Sequence, residues 1–121
     1  MKAILIDSKN KTITDVNVEG DQLQGWYKLI GCKYVEAAHY FNEHDSIMVD
    51  EEGMLTQPEA FFFVEGAHQP FSGNGLVVGV DEDGETVDVN MTAKELIELG
   101  VEFIHPMMIR SWVATHSHLF V

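Results

Sequence analysis

The sequence predicts an α+β fold, mainly an antiparallel sheet built from hairpins, with two short helices. Three observations carry that prediction. Short runs of alternating apolar and polar residues recur along the chain, each closed by a turn rich in Gly, Asn, Asp or Glu. Two stretches, 21–30 and 92–99, instead place apolar residues at helical spacing between recognisable caps. The chain has 121 residues and is 45% hydrophobic, which suits one domain with one buried core and argues against disorder despite the high charge.

Residues 2–7 alternate and are rich in branched side chains, so they predict a strand. A polar turn at 8–11 and a second alternating run at 12–19, with Ile13, Val16 and Val18, complete a hairpin. Asp21 is placed to cap a helix carrying Leu23, Trp26, Tyr27 and Ile30, with Gly31 at its C-terminus and Gly25 as an internal weak point. Residues 32–41 read as a strand. Strict alternation puts Tyr34, Glu36, Ala38 and Tyr40 on one face and Val35, Ala37, His39 and Phe41 on the other. A turn at 42–45 leads to a short strand at 46–49, and a second turn holds Asp50, Glu51, Glu52 and Gly53. Met54 and Leu55 resume an apolar pair before Pro58 breaks the chain. Residues 60–64, with three consecutive phenylalanines, read as a strand buried on both faces or as a helix edge.

Residues 66–75 read as a loop. The runs 76–80 and 86–89 are the arms of another hairpin, with its turn at 81–85. Thr92 and Glu95 have the spacing of a capping box for a helix that Gly100 closes, and 101–104 is a last strand. The expected domain spans 1–105. The apolar segment 106–121 is expected to pack on that domain or on a second copy, the latter giving a homodimer, because a free apolar tail would be a liability.

Charge is distributed unevenly. Residues 34–93 contain thirteen acids and no Lys or Arg, while the remaining seven acids and seven bases cancel. The net charge of −13 is therefore the charge of this segment. It disfavours nucleic acid and anionic membrane as ligands, since both need Lys and Arg, and it favours a cationic partner, solubility at high salt, or solubility alone. Cys32 is the only cysteine, so neither an intrachain disulfide nor a cysteine metal cluster is expected. The N-terminal apolar run is shorter than a signal peptide needs, and no stretch has the length of a membrane span, which leads to the expectation of a cytoplasmic protein.

Several stretches together carry a family resemblance. They are the start Met1 to Asp7, Ile30-Gly31-Cys32, the run from Val49 to Leu55, Phe61-Phe62-Phe63, and the run from Gln69 to Val87. In order and content they resemble a family of small phage, plasmid and bacterial proteins called domain of unknown function 3846. The resemblance covers about the first hundred residues. It implies an α+β domain carried on a mobile element. It implies no activity and no catalytic residues.

Three constellations are candidates for chemistry. The densest glycine site is Gly73-Asn74-Gly75 after Gln69, where Gln69, Ser72 and Asn74 could grip a ligand by hydrogen bonds; an ordinary connecting loop is the plainer reading. His116 and His118 would share one face of a strand, a spacing some metal sites use, although no third ligand has a motif spacing. Asp81, Asp83 and Glu85 superficially resemble a calcium loop, but Gly84 is misplaced for one, and a hairpin turn with a positive-φ glycine explains the pattern better. His39 and His44 flank a turn as structural residues, and Trp26 reads as core.

The first functional reading is a small acidic, non-enzymatic binding protein of phage or mobile-element origin. It would act as a counter-defence inhibitor that presents a DNA-like acidic surface to a basic host protein. The surface would be formed by Asp50, Glu51, Glu52, Asp81, Glu82, Asp83 and Glu85. The alternative is a protein that sequesters a signalling nucleotide, for which Lys28, Lys33, Lys94 or Arg110 would have to gather. A metal-dependent hydrolase using His116 and His118 ranks third, and no cofactor is implied.

Overall fold

The computed structural model describes residues 1–18, 25–26, 29–30, 35–50 and 60–116. Three hairpins are formed by β1 (Lys2–Asp7) with β2 (Thr12–Asn17), β3 (Val35–Tyr40) with β4 (Asp45–Asp50), and β7 (Asn74–Val80) with β8 (Thr86–Val87). They join into one antiparallel six-stranded sheet of order β2-β1-β7-β4-β3, with β8 also paired to β7. Three further strands, β5 (Phe61–Val64), β6 (Phe71–Ser72) and β9 (Val101–Ile104), form a second antiparallel sheet of order β6-β5-β9. Helix α1 (Ala93–Leu99) precedes β9. A 3-10 turn (Pro106–Met108) runs into helix α2 (Ile109–Thr115). The fold is α+β and mainly antiparallel.

The large sheet is covered on both faces, as its alternation requires. Ile4, Ile6, Ile47, Val49 and Val77 pack with the phenylalanines of β5 and with Leu96 of α1. Ala3, Leu76 and Val78 point the other way and pack with Val18, Trp26 and Ile30. The two sheets approach closely at Gly75. A Cβ there would lie 2.7 Å from Phe62 Cζ and 2.8 Å from Ile47 Cδ1, so any larger residue would force these side chains to shift.

The structure differs from the sequence reading in several places. Residues 66–75 are not one loop, because Phe71–Ser72 pairs with β5 and β7 already begins at Asn74. Strict alternation fails in β3, whose register slips between Ala37 and His39. The extra residue reverses the facing. Val35 therefore packs on the Trp26 side, while Ala38 and Phe41 pack on the opposite side. Segment 106–115 is helical, and Trp112 joins the main core. In the expected helix 21–30, residues 25–26 and 29–30 are helical. The expected turn residues Glu51, Glu52 and Gly53, and His118, lie outside the described residues.

Candidate interaction surface and cleft

One end of the large sheet gathers two turns. Because β4 and β7 are antiparallel neighbours, with Asp45 opposite Gly79, the 41–44 turn and the 81–85 turn emerge side by side. Val80 N–H donates to the His44 carbonyl at 2.7 Å. His44 Nε2 sits 3.2 Å from the Asp88 carbonyl oxygen. Asp45, 1% exposed, fastens the segment after β8 by accepting from Asn90 N–H at 2.8 Å and Met91 N–H at 3.2 Å. A buried carboxylate needs such donors, and these supply them.

The 81–85 turn is locked from within. Asp81 Oδ1 accepts from the backbone N–H groups of Asp83 and Glu85, both at 2.9 Å. Gly84 takes φ 81°, the left-handed region the turn requires. Asp81 is thus a turn-holding residue, and the exposed Glu82, Asp83 and Glu85 are displayed on a fixed backbone beside the exposed Glu43. Asp50 does not share this surface. It closes the far end of β4, five residues from Asp45, or about 17 Å along an antiparallel strand. The single acidic face expected from sequence is thereby divided.

A second feature lies on the small sheet. Phe63 and Glu102 are cross-strand partners and so share a face. Helix α2 lays Trp112 over that face, with its ring centroid 4.8 Å from that of Phe63. The indole Nε1–H donates to Glu102 Oε2 at 2.9 Å. His116 caps the end of α2 by donating from Nδ1 to the Trp112 carbonyl at 2.7 Å, and its ring stacks on the indole at 3.9 Å and 7°. Beside this stack is a cleft of about 600 Å³ whose lining includes Phe63, Glu65, Ala67, His68, Val101 and Glu102.

Residues 1–99 match the family described as Domain of unknown function (DUF3846). The chain belongs to the DUF3846 family. No curated protein and no solved structure matches it. The two-turn end lies inside the DUF3846 match, whereas Glu102, Trp112 and His116 lie beyond it.

Most of the glycine-site residues singled out from sequence are structurally engaged in this DUF3846 chain. Ser72 is buried in β6 and Gly75 is enclosed between the sheets. Asn74 Nδ2–H donates to the Leu29 carbonyl at 3.1 Å, and the Gly73 carbonyl accepts from the Ser8 hydroxyl. Gln69 is exposed. The expected gripping loop is therefore largely committed to packing, and the part of 66–75 that lines the cleft is Gly66, Ala67 and His68. His116 sits at a helix end, not in a strand. Among the described residues no group of three or more His, Cys, Asp or Glu is placed to hold a metal, and no helix is long and apolar enough to cross a membrane. Lys94 and Arg110 fall on separate helices.

His39 lies behind the cleft, with its ring 3.6 Å from where a Gly66 Cβ would stand. Partial burial, and secondarily the nearby His68, hold its pKa below the ordinary 6.5. Sequence reading missed Glu65, Glu102 and Trp112. The spacing between Glu102 and Trp112 gave no signal, because their contact depends on α2 folding back over β9.

Proposed function

We propose that this protein is a non-enzymatic binding protein that presents the two-turn acidic end of its sheet to a basic partner protein. The carrying observation is the locked 81–85 turn, which displays Glu82, Asp83 and Glu85 next to Glu43 on adjoining turns. Carboxylates carried on a fixed backbone meet a cationic groove with less ordering cost than those on a mobile loop. With the family resemblance, this supports a counter-defence inhibitor that occupies the DNA-binding surface of a host protein.

The test is capture of partners from host lysate at low and high salt, followed by competition of the captured partner with duplex DNA. The reading expects a basic protein that is retained at low salt and excluded by DNA. It expects the triple variant Glu82→Gln, Asp83→Asn, Glu85→Gln to lose most of that retention. Retention that is unaffected by salt and by the triple variant would overturn it.

A further inference from the structure

We propose that the cleft beside Trp112 is a receptor for a guanidinium group. Its lining combines apolar Phe63, Ala67, Val101 and Trp112 with His68, His116 and two exposed acids, Glu65 and Glu102. Neither Lys nor Arg is among its lining residues. Glu102 is already positioned, because the Trp112 indole holds Oε2 and leaves Oε1 to accept from a ligand. The Glu65 carboxylate has no hydrogen-bond partner among the described residues.

The two acids stand in a defined relation. Glu65 N–H donates to the Gly100 carbonyl at 3.0 Å, which carries the β5–β9 ladder one residue further. Glu65 therefore lies opposite Gly100 and diagonal to Glu102, about 7–8 Å away at the backbone. Gly100 leaves the space next to Glu65 open, since a Cβ there would come within 3.4 Å of Glu65 Cβ. A forked guanidinium, with five donors in a plane and weak hydration, can bridge such a diagonal pair while resting on apolar walls. A compact, strongly hydrated ammonium is less suited. The cation could arrive as an arginine side chain of a protein or as a free small molecule, and the chemistry of recognition is the same.

The experiment is an NMR titration of the ¹⁵N-labelled full chain, reading the Trp112 indole N–H signal assigned with Trp112→Phe. It is run at mildly alkaline pH. The probes are agmatine and N-acetyl-arginine methylamide, with the neutral citrulline and the lysine counterparts as comparisons. The expected result is a saturable shift with the guanidinium compounds, with lysine weaker by about tenfold or more and citrulline inactive. Tighter binding of the arginine amide assigns the site to a protein-borne side chain, and tighter binding of agmatine to a free ligand. The double variant Glu65→Gln, Glu102→Gln should weaken binding by about tenfold or more. Its indole signal should persist, because a Gln carbonyl still accepts from Trp112. No saturable shift with either guanidinium compound, or an equal shift with citrulline, would overturn the proposal. The titration uses no partner protein, so it stands or falls separately from the acidic-end reading.

Discussion

Asp45 shows how much one side chain can hold. It is buried at the sheet end and takes N–H donors from the segment that leads to α1. Asp45→Ala should cost roughly 3 kcal/mol, read as a lower urea midpoint, because two backbone donors lose a charged acceptor. Gly75→Ala should cost about 1–3 kcal/mol by overpacking against Phe62 and Ile47, measured in the same way. His39 sets a pH dependence. Its folded pKa lies below 6.5, so as pH falls through 6.5 the unfolded chain takes up the proton first and stability declines. The decline ends once pH passes below the folded value. His39→Gln should flatten that limb of the stability profile, and an unchanged slope would assign the acid sensitivity to another group.

Among the elements, the hairpins and α1 were legible because their signals are local. The alternation of 2–7 and 12–17, the acidic turn at 81–85 and the Thr92 cap with Glu95 all lie within a few residues, and each has its counterpart in the fold. What was illegible depends on distant partners. The two-residue β6 exists because Phe71 and Ser72 meet β5, and the bulge in β3 appears only against β4. Helix α2 reads in sequence as a mere apolar run, since its defining contact is Trp112 on Phe63 and Glu102. The site followed the same rule: the acidic turn was visible, and the cleft was not. Trp112→Ala should therefore cost about 3–5 kcal/mol, detached from any local propensity. Trp112→Phe should restore most of the packing and lose about 1 kcal/mol with the indole bond. Thermal unfolding of the two variants separates the contributions.

The whole molecule carries −13 charges, and thirteen of its acids fall in one segment of the chain. Several surface acids have structural partners: Asp15 accepts from Ala93 N–H at 3.1 Å, Asp88 from Lys2 N–H at 2.8 Å, and Glu102 from Trp112. The exposed acids repel one another, so moderate salt should raise the thermal midpoint by screening while weakening any cationic partner. A midpoint that falls with added salt would contradict this balance. The pairing of β5 with β9 has a practical outcome as well. Strand β9 comes after the last residue of the family match, yet it pairs with every residue of β5, Phe61 through Val64. A chain cut at residue 99 to suit the family boundary would bare an apolar strand along one whole side. Such a fragment should precipitate or stack with its own kind, and its insolubility would say nothing about the intact protein.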